Sequence, residues 1–239
     1  MRSAQDLRWN QPSYLMFKHR SHTKELLDGD VTEKDLILNL KELHSINTLL
    51  GGYAISVNAF NKINLHNKNI VDIGSGGGDM LHEIYKYTRK KNINCRLYGI
   101  DLKEFCTKYA ESHLPQQLTF ITDDYRNVRK HIEKIDILHA CLFTHHLSNQ
   151  QIVELIEFAI ENKCTLIIND LERNPLAYYS IKALTSIFSK SNLVKNDAPL
   201  SVLRGFKKKE WLAVLQQAGA TNYSVQWKWA FRHQIIIYG

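Results

Sequence analysis

Four cysteines in 239 residues, at 95, 106, 141 and 164, fall singly, with no Cys-x-x-Cys pair. Neither a zinc site nor a disulfide framework is expected from that spacing, and no metal centre is assigned. Two of the four sit in expected strands, where a thiol behaves as a small hydrophobe. The eleven histidines are scattered as well, apart from one adjacent pair. No apolar run approaches the length that spans a bilayer. The opening MRSAQDLRWNQPSY holds no uninterrupted apolar stretch of the kind that marks a secretory signal. Internal repeats and low-complexity segments are absent too. These gaps point to a cytoplasmic protein with no membrane span.

What is present is the composition of a soluble globular protein, 44% hydrophobic and 23% charged, on a chain long enough to bury a large core. The net charge of +7 and a pI near 9.1 raise the question of nucleic acid. The basic residues are spread through expected helices, with local runs at Arg89-Lys90-Lys91 and Lys207-Lys208-Lys209 that suit solvated helix ends. The same balance would suit recruitment of an acidic carrier protein or substrate. Charge alone does not choose between them.

The stretch IVDIGSGGGD, from Ile70 to Asp79, organises the chain. It begins as a short β-branched run, breaks into glycines at Gly74, Gly76, Gly77 and Gly78, and resumes as the helix-compatible MLHEIYKYTRK. A strand that turns sharply into a helix over glycines builds a binding site from backbone, because the helix start presents unpaired N–H groups. Asp72 places an acid inside the strand, two residues ahead of the first glycine. RLYGID ends a second strand at Asp101, the position that meets ribose hydroxyls in doubly wound α/β folds. LTFIT ends a third, and Asp123 and Asp124 follow it. Acid at three successive strand ends suits a cationic nucleoside better than a dinucleotide, whose pyrophosphate adds negative charge. An NAD-binding turn would lack the acid that precedes the glycines.

Strand and helix alternate from there on. IDILHACLF, residues 135–143, is the expected fourth strand and CTLIIND the fifth. Ser148 is placed to cap the helix NQQIVELIEFAIEN. Pro175 starts the helix LAYYSIKALTSIFSK, SNLVKNDAPLSVLRGF is expected to be irregular, and KKKEWLAVLQQAG stops at a glycine. NYSVQWKWAFRHQIIIYG reads as a hairpin of two strands around Ala230. The expected fold is therefore α/β: a Rossmann-like, seven-stranded, mostly parallel sheet with helices on both faces. Ahead of it, Leu36, Leu40, Leu43, Ile46 and Leu50, then Tyr53, Ile55, Val57, Phe60 and Ile63, recur at helical spacing. Two helices are expected there, in an N-terminal helical extension over residues 1–66 preceding a core over 67–239 in one structural domain. Residues 1 to about 20 carry few periodic signals and are expected to form a mobile or pocket-covering arm.

Asp72-x-Gly74-x-Gly76-x-Gly78, then Asp101, then Asp124-Tyr125 resemble the first three motifs of the class I S-adenosylmethionine-dependent methyltransferases. The likeness is good over residues 70–148 and looser elsewhere. It implies that Asp72, Gly74, Ser75, Gly76 and Gly78 hold the methionine end of S-adenosylmethionine. It implies that Asp101 and Leu102 hold the ribose, Asp124 and Tyr125 the adenine, and Ala140 the floor of the site, with S-adenosylhomocysteine as product. It also implies that the N-terminal helices close over the cofactor, although they can equally be helices that cap the sheet.

In this family the end of the fourth strand divides cofactor from acceptor, and His146 and His145 lie just beyond it. Histidine titrates near neutrality, so either suits the acceptance of a phenolic proton; the alternative is that one packs beneath the cofactor and the other caps the helix. Asp170 ends the fifth strand on the ligand side. Arg173, Tyr178, Tyr179 and Arg204 are candidate acceptor-binding residues, with ordinary helix packing or a surface ion pair as the alternative. The fourth strand lacks the Asn/Asp-Pro-Pro-Tyr/Phe run of enzymes that methylate exocyclic amines of bases. No cysteine pattern for C5-pyrimidine methylation is present, and no RNA-binding module is appended. The extension and the segment around Leu171–Phe206 are similar to bacterial small-molecule methyltransferases of the polyketide, pigment and ubiquinone/menaquinone type. That similarity implies O-methylation of a hydrophobic aromatic or polyketide-derived molecule by a monomer or homodimer. C-methylation of a quinone-like acceptor, an RNA substrate and a catalytically silent cofactor-binding partner are the alternatives.

Overall fold

The computed structural model describes residues 15–239. Its centre is a seven-stranded sheet in the order β3-β2-β1-β4-β5-β7-β6. The strands are β1 (Lys68–Ile73), β2 (Cys95–Asp101), β3 (Leu118–Thr122), β4 (Ile137–Cys141), β5 (Thr165–Leu171), β6 (Tyr223–Lys228) and β7 (Arg232–Tyr238). The first five run parallel, and β7 inserts antiparallel between β5 and β6. The β6–β7 turn carries Ala230 and Phe231 at φ 61° and 55°, the left-handed pair that a tight hairpin twist requires. The inner strands read as nearly unbroken apolar runs because helices cover both faces.

One core layer joins Val71, Ile73, Leu138 and Ile168 to Ile152, Ile156 and Trp211; the other joins Ile70, Ile137 and Ile236 to Phe60, Leu81 and Ile84. The helices are α1 (Glu33–Leu49), α2 (Gly52–Phe60), α3 (Asp79–Lys90), α4 (Glu104–His113), α5 (Val128–His131), α6 (Asn149–Glu161), α7 (Pro175–Phe188), α8 (Asn192–Arg204) and α9 (Lys208–Gln217). Local chemistry sets their ends. Thr32 caps α1 through Asp35 N–H. Ser148 and Gln151 close a reciprocal capping box on α6. Asn174 caps α7 with Pro175 in its first turn.

Two expectations need correcting. The fourth strand stops at Cys141, two residues short of Phe143, because Leu142 turns into the left-handed region at φ 53° while its N–H still reaches Asn169 O at 2.9 Å. The stretch read as irregular is the thirteen-residue helix α8, with Pro199 inside it. Its buried residues include Leu193, Asp197, Leu200 and Arg204, so charged residues share the buried stripe and the apolar periodicity is lost. The expected arm at residues 1–20 lies outside the described residues as far as 14. Beyond it, Leu15–Phe17 forms one 3₁₀ turn and Arg20 is bonded to Arg204 O, His145 O and Leu147 O.

The two halves of the N-terminal extension sit differently. A buried polar chain ties α2 to the sheet: Asp72 Oδ1 accepts from His139 Nδ1 at 2.7 Å, and His139 Nε2 accepts from Ser56 Oγ at 2.8 Å. Ser56 in turn accepts from Asn169 Nδ2 at 3.0 Å, which also reaches Gly52 O at 2.8 Å. Four segments distant in sequence are pinned in register by groups that would each be costly to leave unpaired. The His139→Leu variant leaves Asp72, only 2% exposed, without that partner. It is expected to lose about 3–5 kcal/mol of unfolding free energy in denaturant titrations.

Candidate functional site

Strand order reverses between β1 and β4, and the crevice beyond the carboxyl ends of the strands at such a switch point is where open α/β sheets bind ligands. A cavity of about 890 Å³ lies there, floored by the glycine turn and the ends of β1, β2, β4 and β5, and walled by α1, α7 and α8. The floor is acidic, with Asp72, Asp79, Asp101, Asp123 and Asp124 all lining it. Gly74 is left-handed at φ 64°, and a Cβ there would fall inside the ring of Phe143. Asp101 cross-links the floor: Oδ2 accepts from Gly76 N at 2.8 Å and Oδ1 from Lys103 N at 2.9 Å. Burial raises the pKa of its carboxyl above the ordinary value, against the pull of those two N–H groups.

The other half of the cavity is built around Asp170. This buried carboxylate accepts from Thr144 Oγ1 at 2.5 Å, His145 N at 2.9 Å, His145 Nδ1 at 2.8 Å and Leu171 N at 2.7 Å. Burial alone would raise its pKa. The electrostatic pull of His145 and these hydrogen bonds outweigh burial and hold it well below the usual carboxylate range. With Nδ1 of His145 committed to Asp170, its Nε2 lies 3.6 Å from Glu25 Oε1. His146 sits beside it at 4.3 Å between ring centres. Its Nε2 is 3.8 Å from Glu25 Oε2 and its Nδ1 is 3.4 Å from Asp28 Oδ1. The hydrogen bond from His146 leads the influences that lower the pKa of Asp28, whereas burial raises that of Glu25. Donor atoms of Glu25, His145 and His146 lie within 4.8 Å of one another, a grouping that a divalent cation can bridge.

The sequence profile of a methyltransferase-domain family matches residues 64–219. The chain belongs to this methyltransferase family. Solved structures agree on the fold. The plantazolicin methyltransferase BpumL in complex with S-adenosylhomocysteine superposes with a TM-score of 0.59 at 17% identity, covering 84% of this chain and 87% of that one. BamL, another plantazolicin methyltransferase, gives 0.54 at 18% over 82% and 84%. A SAM-dependent methyltransferase from Aquifex aeolicus gives 0.57 at 13% over 87% and 98%. No curated protein sequence matches the chain. No described helix is long and apolar enough to cross a membrane.

The chain is therefore a SAM-dependent methyltransferase, and its residues fit that cofactor. Carboxylates line the floor, and a sulfonium cation favours negative charge around it. The buried Ser75 Oγ is left without a partner at the cavity wall, and a Cβ at Gly77 would press on Leu40 of α1 at 3.3 Å. Bound there, the cofactor supplies an electrophilic methyl group.

Of the expected cofactor residues, Asp72, Gly74, Ser75, Gly76, Asp101, Leu102, Asp124 and Tyr125 line the cavity. Gly78 lies behind the turn, against Leu114 and Phe120, and Ala140 is wholly buried in the strand. The carboxylate of Asp124 is gripped by its neighbour, Arg126 Nε to Oδ1 at 2.9 Å and Nη2 to Oδ2 at 2.5 Å. Tyr125 meets the ring of Phe143 edge-on. Both histidines line the cavity.

The expected acceptor residues do not. Arg173 is 1% exposed and donates to Gly205 O at 2.6 Å and Glu210 Oε1 at 2.5 Å. Tyr178 and Tyr179 pack on Phe17. The helix does wall the cavity, but through Ala177, Ile181 and Leu184, a stripe one step around it. Arg204 stands behind the histidines, donating to His145 O at 3.2 Å, His146 O at 3.3 Å and Asp28 Oδ2 at 3.2 Å. Sequence reasoning missed Glu25, Asp28 and Arg20, whose segment carries no periodic or motif signal.

The Asp101→Ala variant is expected to bind S-adenosylhomocysteine about ten- to a hundredfold more weakly by calorimetric titration. The depressed pKa of Asp170 means that its stabilising share is present above the unfolded value near pH 4 and is lost as pH falls towards the folded one. The Asp170→Asn variant should accordingly lie about 3–5 kcal/mol below wild type at pH 7. That gap should narrow in urea titrations as pH drops below about 4.

Proposed function

We propose that this methyltransferase O-methylates a hydroxyl of a hydrophobic aromatic or polyketide-derived small molecule. The observation that carries the reading is the pairing of an apolar acceptor wall with a ready proton acceptor. Ala177, Ile181, Leu184 and Val202 face the cavity, while the His145–His146 pair stands at its end backed by Glu25, Asp28 and Asp170. Methyl transfer is an in-line displacement, so the protein has to align the acceptor oxygen, keep water out and take the proton.

His146 is the base in this reading. It is the more open of the two rings, 24% against 3% side-chain exposure, and Glu25 and Asp28 oxygens lie 3.8 Å and 3.4 Å from its two nitrogens. His145, locked by Asp170 and by its backbone bonds, holds the neighbouring ring in place. The acid-lined floor opposes a phosphate backbone, which argues against a nucleic-acid acceptor despite the basic overall charge. The structural neighbours BpumL and BamL were crystallised with a pentazolic and a triazolic desmethylPZN analogue, each together with S-adenosylhomocysteine. Four free thiols fit a reducing compartment such as the cytoplasm.

The test is turnover with a panel of phenols and hydroxypyrones. The His146→Ala variant should lose about 10²–10⁴ in kcat while S-adenosylhomocysteine affinity stays at the wild-type value. Full turnover by this variant across pH 6–9 on an acceptor that wild type methylates would remove His146 from the role. The label on an oxygen, a carbon or a nitrogen of the product decides the atom methylated.

A further inference from the structure

Arg232, the first residue of β7, is 2% exposed and lines the cavity. Its Nη2 donates to Asn47 Oδ1 at 2.7 Å, while Nε and Nη1 have no hydrogen-bond partner. Among the described residues no carboxylate forms an ion pair with it. The neighbouring thiol of Cys141 is pushed up to about 12 by burial, so it stays neutral at physiological pH. A buried guanidinium with two unbonded nitrogens is expensive unless an anion arrives, because the charge has given up water for one neutral amide, the neighbouring thiol and the field of Asp170.

A second, separate feature converges on the same spot. Helix α2 begins at Gly52, and its cap residue Gly51 offers no side chain to the first N–H groups. The guanidinium lies against Gly52 so closely that a Cβ there would be 2.8 Å from Nη2. The positive end of a nine-residue helix and a buried arginine therefore lie side by side, next to Asn47 and Tyr53, which line the cavity. The remaining floor of that cavity is acidic, so this corner is where its charge reverses. Arg232 also lies beyond residue 219, where the family match ends.

We infer that Arg232, Asn47 and the start of α2 form a carboxylate-binding subsite. A carboxylate reaches this corner from one of two sources, the amino-acid end of the cofactor or an acidic acceptor. The inference rests on the cavity alone and is independent of which acceptor atom is methylated. Calorimetry with three probes separates the sources: S-adenosylhomocysteine, its decarboxylated analogue 5′-deoxy-5′-(3-aminopropylthio)adenosine, and benzoate added to protein saturated with S-adenosylhomocysteine.

If the cofactor supplies the carboxylate, wild type binds S-adenosylhomocysteine about ten- to a hundredfold more tightly than the decarboxylated analogue. Arg232→Met then binds both at the weaker level, and Arg232→Lys recovers part of the difference. If an acceptor supplies it, Arg232→Met leaves both nucleosides at wild-type affinity and abolishes benzoate binding to the loaded protein. The proposal is overturned if Arg232→Met matches wild type with all three probes. Should that variant fail to fold, wild type decides alone: equal affinity for the two nucleosides together with no benzoate binding sinks the subsite.

Discussion

The carboxylate of Asp170 is the constraint on which the histidine side of the cavity hangs. It ends a central strand, is wholly buried, and spends its lone pairs on Thr144, on both the backbone and the ring of His145, and on Leu171. Those bonds fix the loop after β4 relative to the end of β5, and with it the tautomer of one histidine and the seat of the other. Around that anchor the same loop is gripped from outside. Arg204 and Arg20 donate to the carbonyls of His145, His146 and Leu147, and Arg20 lies 3.6 Å over the ring of Phe206. Segments from both ends of the chain thus converge on three consecutive residues.

The glycine-turn side follows a different logic, built from backbone and fixed charge. Asp101 reaches across to the N–H of Gly76, so a carboxylate that lines the cavity also sets the shape of the turn beside it. The two demands are compatible because a carboxylate has more acceptor sites than one N–H uses. Placing several carboxylates on one floor raises their mutual repulsion, and Arg126 at Asp124 offsets part of it. A cationic ligand relieves the rest, which is a reason for a methyltransferase to tolerate such a floor.

Much of this was legible in the sequence wherever a motif coincided with an element boundary. The glycine turn, the acids ending β1 and β2, the cap at Ser148 and the hairpin at Ala230 are local signals, and local physics placed them correctly. What escaped was information carried by faces. Helix α8 hid because Asp197 and Arg204 occupy its buried stripe, so no apolar period marks it. Tyr178 and Tyr179 lie on the helix that walls the cavity but on another face of it, since one residue turns a side chain by about 100° around a helix, and Arg173 precedes that helix, buried against Glu210. Glu25 and Arg232 carry no pattern at all: each matters only through partners more than a hundred residues away.

Leu142 shows how the strand end and the cavity wall are coupled. A branched side chain in the left-handed region costs about 1–2 kcal/mol that glycine would not incur. At this position the protein holds an isobutyl group against the ligand space at the expense of backbone comfort. Relaxing the backbone with glycine would firm the fold while removing a piece of the wall. Stability and selectivity therefore pull on this residue in opposite directions, and a more robust variant of the enzyme obtained there would be a less discriminating one.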